Sequence, residues 1–596
     1  MPTFGFCIGG TYQSQSVNSD AQKCVNWIPE LIESQQGKSK VALYPRMGLK
    51  TFSTLSSETS VQKLFEQNGR VFAAGANLWE IFHNGSNQNR GALAALNGAV
   101  SIAASNIELL ICSAGQLWVY TLATDTLKLV DMSQFNGPIS LVAYGDGFFM
   151  AMQQKSQVFY VSSLLNGSIW SGLDASQILY FPDNLVTMIV DHRELWLAGS
   201  KQSVGYSNSG AVNSPFVPIP GAFIESGALA LEGIAKLDNT PFWIGSDERG
   251  SLIAYRASGY TPQRISTHAI ENAWSKYEVV TDVKTYSLQD RGHTLWIVYF
   301  PSANSGKGAT WIYDVSTSFW HEWTYLDSVL GEIAFRGQCH CNGFQKHLVG
   351  DWKSGKVYQM AADVYDDDGK PIKWTRRAPY VNQEAEWVKH NQLQLDIEVG
   401  LGSAATVAAA LQPTSIILAA PNSSQWTLQV SDGGVLTQTG GALGTPQTLF
   451  LNDTGMANSW QIAVTNAGVL TQTAVTFNAT YANHLDMISA SGTVRWRLQV
   501  LPGGILQQAP LGGVIGGANA PIAPQISLRF SDDQSKTWSN FYAVPVGLGG
   551  EYKTRAVWRR LGRSRGRVYE VTASDPVPWR ITDAYLKVTT RQYPGE

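Results

Sequence analysis

The stretch SDDQSKTW, Ser531 to Trp538, comes nearest in this sequence to a pattern associated with chemistry. It matches the S-x-D-x-G-x-T-W "Asp box" at every position but one, because Ser535 stands where the pattern has glycine. In such a box the aspartate oxygens accept backbone N–H bonds across a tight hairpin, and the tryptophan packs beneath it. These are structural roles, and the sequence has no second copy. The box therefore predicts a β-hairpin in a sheet protein and leaves the chemistry open.

Two other motifs fail the requirements of the chemistry they suggest. GRSRG, Gly562–Gly566, matches the G-x-S-x-G nucleophile elbow, which needs a strand-to-helix turn and a later histidine. Its flanks are strand-like and the last histidine is His484, so we interpret the match as chance.

DVYDDDG, Asp363–Gly369, suggests a calcium loop, but alignment on the glycine puts Val364 at the first ligand position and Thr375 at the twelfth. We predict a solvated turn instead.

Soft metal ligands lie close together in Cys339, His340, Cys341 and His347. Structural zinc sites usually consist of spaced pairs, and the sequence offers no second pair. We therefore predict a turn with reduced thiols. The sequence predicts no catalytic residue, no cofactor, no metal site and no enzyme activity.

The segment from Lys553 to Arg567 carries seven positive charges. Such side chains bind phosphates, and they equally form salt bridges at subunit contacts. Alternation along strands would divide them between two faces of a sheet. Both interpretations stay open, and we take Arg559, Arg560 and Arg563 as interface candidates.

Composition limits the class of protein. A chain of 596 residues is too long for one core, and its 56 Gly, 20 Trp, 23 Tyr and 22 Phe favour β-sheets joined by turns. The net charge of −3 provides no overall attraction to nucleic acid or membrane. The five cysteines are too few and too scattered for a disulfide framework. With neither a secretory signal nor a membrane span recognised, we expect cytoplasmic synthesis and no membrane anchor.

Short strands with similar patterning recur along residues 41–370. Each unit reads as a strand of alternating apolar residues, a Gly/Ser/Asn turn and a second strand with an aromatic residue. The spacing is roughly one unit per 47 residues, and a propeller blade takes about 40–50. We therefore predict an all-β fold with a β-propeller of six to eight blades, rather than a sandwich of ordinary hairpins. The units lie at residues 71–82, 109–121, 148–162, 195–207, 242–256, 295–314 and 347–360.

An internal repeat occupies a region of few charges and much Ala, Gly, Thr and Gln. Its copies are WTLQVSDGGVLTQ (426–438), WQIAVTNAGVLTQ (460–472) and WRLQVLPGGILQQ (496–508). Each reads as a strand, a Gly turn and a returning strand, and three such units are expected to close one core together. Trp426, Trp460 and Trp496 hold equivalent places. We interpret them as core residues, with stacking on sugars as the alternative.

The remaining segments complete the domain map. Strand-like NQLQLDIEVG (391–400) and ISLRFSDD (526–533) are expected to be neighbours in one sheet, with the repeat region inserted at a loop tip between them. The predicted parts are an extended N-terminal arm at 1–40, the propeller at 41–375, a small sandwich-like β-sheet domain at 376–401 and 523–596, and an inserted all-β domain of three ~35-residue repeats at 402–522.

The sequence resembles a family at this point: the packaged-DNA stabilisation, or tail hub and nozzle, proteins of short-tailed bacteriophages. Residues 402–522 depart from the family pattern, so the role of the repeat domain is not inherited. The resemblance is carried by Gly9–Glu30, Trp243–Glu271, Thr310–Trp323, His347–Met360, Asp366–Pro379, SDDQSKTWS at 531–539, and Gly547–Val577.

The resemblance implies a structural virion protein without catalytic residues. It implies a homohexameric ring below the portal and its adaptor (head–tail connector) protein, extending the DNA channel, helping to retain packaged DNA and anchoring needle or fibre proteins. Contact with the packaged double-stranded DNA is expected to be weak and non-specific, because each phosphate contact adds salt-dependent affinity and drag.

The most specific matching stretch, Trp243–Glu271, supplies further interface candidates. Their density predicts a structured turn and strand with a buried or subunit-facing network, and an ordinary polar blade edge is the alternative. The candidates are Asp247, Arg249, Tyr255, Arg256, Tyr260, Arg264 and His268.

Two functions from other classes stay open on the sequence. A receptor-recognising propeller that binds or cleaves glycans at the virion tip is motivated by the Asp box and by the tryptophans of 402–522. A scaffold propeller of the host, unrelated to virions, would need only the repeated hairpins.

Overall fold

The computed structural model of the chain is built almost entirely of β-strands. It describes residues 5–16, 20–33, 40–94, 98–180, 182–211, 215–247, 250–382, 386–399, nine strands between 415 and 514, 524–533, 535–547 and 555–590. The chain forms two compact units, residues 1–401 with 524–596, and residues 402–523. Among the helices so described, none is long and apolar enough to cross a membrane.

A propeller of seven blades makes up most of the first unit, within the predicted range of six to eight. Five strands precede its first complete blade: β1 (Tyr12–Gln13), β2 (Ala21–Val25), β3 (Trp27–Leu31), β4 (Val41–Pro45) and β5 (Gly48–Thr54). Blades one to four are four-stranded antiparallel sheets. Their strands are β6 (Lys63–Gln67), β7 (Arg70–Ala74), β8 (Asn77–Ile81) and β9 (Asn87–Ala92); β10 (Val100–Ala104), β11 (Glu108–Ser113), β12 (Gln116–Thr121) and β13 (Thr126–Leu129); β14 (Ile139–Gly145), β15 (Phe148–Gln153), β16 (Val158–Ser163) and β17 (Asn166–Gln177); and β18 (Thr187–Asp191), β19 (Glu194–Ala198), β20 (Ser203–Asn208) and β21 (Phe216–Ile224).

Blades five to seven add two short helical segments and a hairpin. Blade five has β22 (Gly227–Ala228), β23 (Ile234–Leu237), β24 (Thr240–Ser246), β25 (Ser251–Ser258) and β26 (Thr261–Arg264), followed by α1 (His268–Trp274). Blade six has β27 (Lys284–Asp290), β28 (His293–Phe300), α2 (Ala303–Gly306), β29 (Ala309–Asp314) and β30 (Phe319–Glu322). The hairpin β31 (Thr324–Asp327) and β32 (Gly331–Ala334) leads to blade seven, with β33 (Gly337–Gly343), β34 (Lys346–Asp351) and β35 (Lys356–Ala361).

The propeller is closed by its first and last strands. The innermost strands of successive blades are in contact all the way round, including β33 of blade seven with β6 of blade one. The early strand β5 pairs antiparallel with β35 and so completes blade seven. Because segments more than 300 residues apart share one sheet, opening the propeller requires the loss of a full strand ladder.

Tight turns join the first two long strands in six of the blades. Each turn has two residues with positive φ, the type whose twist matches that of antiparallel strands. Glycine, asparagine and aspartate adopt this backbone at low cost, which explains why Gly and Asn recur in the turns between predicted strands. The pairs are Asn68–Gly69, Asp146–Gly147, His192–Arg193, Asp238–Asn239, Arg291–Gly292 and Phe344–Gln345.

An apolar cluster fills each of the seven interfaces between neighbouring blades. The middle strands are therefore covered on both faces, as in Glu108–Ser113, where all six residues are buried. This differs from the expected alternation of apolar and polar residues. Sheets covered on both sides favour continuous apolar runs such as LLIC (109–112), whereas sheets with one solvent-exposed face show alternation.

The propeller is followed by β36 (Asp366–Asp367), β37 (Lys370–Pro371), β38 (Trp374–Arg377), β39 (Val381–Asn382) and β40 (Val388–Val399). The second unit then forms three separate three-stranded antiparallel sheets, one for each sequence repeat. Each repeat gains a strand before the predicted hairpin, so that its tryptophan lies on the central strand. The strands are β41 (Ser415–Ala419), β42 (Gln425–Val430), β43 (Leu436–Gly440), β44 (Leu449–Asn452), β45 (Ser459–Val464), β46 (Leu470–Val475), β47 (His484–Ile488), β48 (Val494–Leu501) and β49 (Ile505–Val514).

The last six strands complete a sandwich of two sheets in the first unit. They are β50 (Gln525–Ser531), β51 (Tyr542–Pro545), β52 (Arg555–Arg559), β53 (Arg563–Ser564), β54 (Gly566–Ala573) and β55 (Trp579–Thr590). One sheet has the order β3-β4-β55-β40-β52, and the other runs β2-β38-β54-β50-β51. The expectation that β40 and β50 are neighbours is wrong, because β40 pairs with β55 and β50 with β54, in different sheets.

The N-terminal segment links the sandwich to the propeller. Within residues 1–40, expected as an extended arm, β2 enters one sandwich sheet and β3 the other. Strand β2 also pairs in parallel with β30 of blade six at Val25 and Glu322. Blade six and one sandwich layer are consequently a single hydrogen-bonded sheet.

A buried guanidinium holds the N-terminal segment in place. Arg376 on β38 is fully buried and donates to the backbone carbonyl oxygens of Phe6 (2.7 Å), Ile8 (2.7 Å) and Gly10 (3.1 Å). It also donates to the side-chain oxygen of Gln22 at 3.0 Å. Carbonyl groups that would otherwise lose their hydrogen bonds on burial are satisfied by this one side chain.

A second buried guanidinium ties together segments distant in sequence. Arg46 donates to Asn26 Oδ1 (2.9 Å), to the carbonyl oxygen of Thr324 (3.1 Å) and to both carboxylate oxygens of Asp367 (3.0 and 2.6 Å). Both side chains of the ion pair are fully buried. The predicted solvated turn at Asp363–Gly369 is therefore wrong for Asp367, because a guanidinium from the start of the chain supplies the charge that burial of a carboxylate requires.

Replacing Asp367 by asparagine should lower the free energy of unfolding by about 3–5 kcal/mol, because Arg46 would keep its burial and lose its counter-charge. Denaturant unfolding of the purified variant measures this loss. Asp366→Asn is the matched control, because Asp366 makes only a turn contact to the backbone N–H of Gly369 and its replacement should change stability by less than about 0.5 kcal/mol. Equal stability of the two variants would contradict a structural role for the ion pair.

Candidate functional site

The Asp box forms the hairpin turn expected from its sequence. Asp533 accepts the backbone N–H of Thr537 at 2.8 Å and its hydroxyl at 2.6 Å, and Ser531 donates to the same carboxylate at 2.8 Å. Ser535 adopts φ of +69°, the backbone that explains glycine in the general pattern. The hydroxyl and N–H donors lower the pKa of Asp533 to about 2. This carboxylate is fixed as an anion within the turn.

The tryptophan of the box packs against two arginines. The guanidinium groups of Arg377 and Arg529 lie 4.9 and 4.6 Å from the ring centroid of Trp538. Both arginines also donate to the buried carboxylate of Glu570, at 2.9 and 2.6 Å. The ring of Trp538 thus packs against the ion cluster of Arg377, Arg529 and Glu570. Cation–π attraction stabilises this arrangement.

The serine of GRSRG does contact a histidine, one that precedes it in the chain. Ser564 Oγ lies 2.8 Å from His390 Nε2, and Tyr569 Oη lies 2.7 Å from His390 Nδ1. Burial, with Arg567 nearby, lowers the pKa of His390 to about 4, so the imidazole is neutral at pH 7. Ser564 is only 3% exposed and lies between strands, whereas a nucleophile elbow requires a strand-to-helix turn. The three side chains join the two sandwich layers.

The Cys/His group lies in a strand, so the predicted turn is wrong. Cys339, His340 and Cys341 belong to β33, where alternation buries both thiols between blades seven and one. His340 points to the opposite face and stacks on His347, with the rings 5.3 Å apart. Burial and the neighbouring imidazole lower the pKa of His340 to about 3. Within the part of the chain that the structure describes, no group of three His, Cys, Asp or Glu side chains could hold a metal ion.

The described blade-five candidates lie on the hairpin β25–β26, on the following helix and, for Asp247, in the turn before β25. Tyr260 reaches blade four, where it donates to Glu194 at 2.8 Å and packs 5.7 Å from the ring of Trp196. Burial and this carboxylate raise the pKa of Tyr260 to about 12. Tyr255 is buried against Trp243, with the rings 5.5 Å apart. These aromatic residues fix the hairpin to the rest of the propeller.

The charged candidates of blade five stay near the surface. Arg256 donates to Asp238 at 2.8 Å, and Arg264 donates to both carboxylate oxygens of Glu271. Asp247 caps its own turn by accepting the backbone N–H of Gly250 at 2.8 Å. His268 is exposed at the start of α1, and Arg249 lies outside the described residues. The structure therefore places Tyr255 and Tyr260 in one apolar cluster, whereas Arg256 and Arg264 form separate ion pairs.

The basic segment is divided between the two sheets of the sandwich. Arg567 is buried, donates to Asp532 at 2.5 and 2.7 Å, and lies 3.9 Å from the ring centroid of Phe530. Arg559, Arg560 and Arg563 are exposed on the neighbouring sheet. The side chains of Trp426, Trp460 and Trp496 fall outside the description, so the choice between core and sugar contact remains a prediction.

Two protein-family models match the chain. One, described as "Bacteriophage P22 Gp10, beta-propeller", matches residues 7–365. The other, described as "Bacteriophage P22 Gp10, beta-sandwich", matches residues 502–589. The propeller model alone spans more than half of the 596 residues. No curated protein sequence matches the chain.

Solved structures resemble the chain only distantly. The computationally designed Ika8 protein is 11% identical, with 52% of this chain and 99% of that chain covered and a TM-score of 0.31. A chain of the Mitotic Checkpoint Complex is 12% identical (54% and 90% covered, TM-score 0.34), and the N-terminal domain of Nup159 is 8% identical (56% and 98% covered, TM-score 0.32). Scores at this level carry no argument about fold or function.

Stability should fall as the pH drops from about 6.5 to 5, because desolvation holds His321, His340 and His390 as neutral imidazoles, with pKa values lowered to about 4, 3 and 4. In this pH window the three imidazoles bind protons in the unfolded chain and stay neutral in the folded chain. This difference lowers the free energy of unfolding by about 1.4 kcal/mol per pH unit for each histidine. Thermal or denaturant unfolding across the window measures the slope.

The variant His390→Gln should reduce that slope by about a third, since one of three histidines is removed. His268→Gln is the control, because it removes an exposed histidine at the start of α1. The same slope in wild type and His390→Gln would show that this histidine is not held neutral by the fold.

Proposed function

The chain belongs to the bacteriophage P22 Gp10 family of phage tail structural proteins, and we propose that six copies form a ring that extends the DNA channel of a short tail. In this proposal the ring lies below the portal and its adaptor protein and helps to retain packaged DNA. Needle or fibre proteins attach to its far end. Assembly takes place in the host cytoplasm before the ring joins the virion.

An exposed apolar edge on blade three carries the proposal of a ring. The strand β17 and its flanks expose Leu164 (62%), Ile169 (55%), Leu173 (90%) and Leu179 (77%) to solvent. Residues 156–182 contain a single charged side chain, Asp174. Large exposed apolar patches on soluble proteins mark contact surfaces, and charge is depleted at the centre of such contacts. A closed ring would cover this edge on every subunit.

The fold suits a component that transmits force without changing shape. The sandwich and blade six share one sheet, and two buried guanidinium groups fix the N-terminal segment between them. Separating these parts would break the pairing of β2 with β30 at Val25 and Glu322 and would leave the buried guanidinium groups without their hydrogen-bond partners. This connectivity supports a rigid section of channel.

Low net charge supports a channel through which DNA passes. Each phosphate contact adds salt-dependent affinity, and many such contacts would impede ejection. With a net charge of −3, the subunit exerts little overall attraction on DNA. In the proposed ring, retention comes from a narrow bore and distal closure, with weak phosphate contacts only.

The double variant Leu173→Ser/Leu179→Ser should dissociate the ring, because it removes the two most exposed apolar side chains of the blade-three edge. Sedimentation velocity would show an approximately sixfold loss of mass. Leu129→Ser is the control, since Leu129 is also exposed (56%) but lies on blade two, and its ring should stay intact. Arg264→Ala and Arg249→Ala are also expected to impair ring formation, and unchanged sedimentation of these variants would count against a contribution of blade five.

Electron microscopy of purified particles tests the location. Density for seven-bladed subunits arranged as a ring between the head and the distal tail supports the proposal. A wild-type chain that sediments as a monomer at all concentrations, and that is found away from the tail axis, would contradict it.

A further inference from the structure

The outward face of the sandwich sheet containing β40 carries an array of positive side chains. The strand register places Lys587 on β55 and Arg559 on β52 on either side of Gln392. Lys389 on β40 is paired with Arg563 on β53. Because neighbouring strands lie about 4.8 Å apart, these four exposed cations occupy two adjacent rows of one surface. The inward residues of the same strands, such as Leu393, form the core.

Two further arginines extend this array, which we call the basic face. Arg560 directly follows the end of β52 and has φ of +59°, a left-handed conformation that interrupts the alternation, and Arg559 and Arg560 are both exposed. Arg565 is exposed too, and its guanidinium lies 5.4 Å from the ring centroid of Trp387, which is itself 54% exposed. The basic face therefore consists of Lys389, Arg559, Arg560, Arg563, Arg565 and Lys587.

The cations of the basic face have no counter-charge on the sheet. Among the residues that the structure describes, none of the six lies within ion-pair distance of a carboxylate. Elsewhere on the same sheet the arginines are paired, Arg555 with Asp396 at 3.6 Å and Arg580 with Glu398 at 3.8 Å. Positive charge is thus concentrated at one end of the sheet and left unneutralised.

We propose that the basic face binds the phosphate backbone of double-stranded DNA. Between its cations lie the amides of Asn391 and Gln392 and the hydroxyl of Thr589, groups that also contact phosphate and sugar oxygens. A surface for a protein partner would instead have an apolar centre. The identification of DNA as the polyanion rests on the proposed function, which brings a duplex through the tail.

The strength of this contact follows from its charge. Six phosphate contacts give an affinity that falls about a thousandfold between 50 and 200 mM salt. The basic face then holds DNA loosely at physiological ionic strength and releases it without a conformational change. This weak contact is compatible with a near-neutral subunit that lets DNA pass.

The test is a titration of a labelled duplex of about 30 base pairs with the full-length protein at several NaCl concentrations. The variant Lys389→Gln/Arg559→Gln/Arg563→Gln should reduce the slope of log K against log[NaCl] by about 2.7, or about 0.9 for each lost phosphate contact. The control Arg193→Gln/Lys236→Gln/Lys353→Gln removes three exposed cations that are paired with Asp146, Asp191 and Asp327, and its slope should match that of the wild type. Unchanged melting temperatures confirm that both variants fold.

Absence of duplex binding by the wild type at low salt, or equal slopes in both triple variants, would overturn the proposal. A basic-face variant that binds DNA normally but sediments differently would assign the face to a protein contact and overturn it as well. Microscopy of particles locates the chain in the tail independently of these titrations. Failure of DNA binding is therefore distinguishable from failure of the proposed tail role.

Discussion

The buried ion pair between Arg46 and Asp367 is the interaction on which the arrangement of the first unit depends. Its guanidinium also bonds Asn26 and Thr324, so that the N-terminal segment, the closing strand of the propeller, the hairpin after blade six and the segment after blade seven meet at one point. A pair without solvent exposure is stable only when its geometry satisfies every charged atom. The four segments therefore have to be correctly placed at the same time. Closure of the propeller and packing of the sandwich thereby become one cooperative event.

Side chains that elsewhere perform chemistry are used in this protein to join layers. Asp533 fixes a turn, His390 bridges two sheets between Ser564 and Tyr569, and the thiols of Cys339 and Cys341 fill the space between two blades. Burial lowers the pKa values of the histidines and raises those of the thiols, which holds both in their neutral, unreactive forms. Polar groups in these places contribute to specific packing, as expected for a protein whose function lies in its shape.

The surface divides into regions with different physical character. The blade-three edge is apolar and nearly free of charge, whereas the basic face of the sandwich holds six unneutralised cations. Apolar surface favours contact with another folded protein, and unpaired cations favour a polyanion. In the proposed ring, the blade-three edge would contact neighbouring subunits and the basic face would contact DNA. Because the two surfaces lie on different domains, neither contact would obstruct the other.

The sequence by itself determined the features that depend on residues close together in the chain. Hairpin spacing predicted the propeller, the repeated Trp and Gly positions predicted three equivalent units, and S-x-D-x-S-x-T-W predicted a turn, because β-turn geometry and strand alternation are local properties. Only the tertiary structure decided which distant segments meet. The burial of Asp367 by Arg46, the contact of Ser564 with a histidine some 170 residues earlier, and the separation of β40 and β50 into different sheets all depend on that pairing. Local patterns carry no information about the partner strand, and a side chain's charge, exposure and function are set by the partner it finally meets.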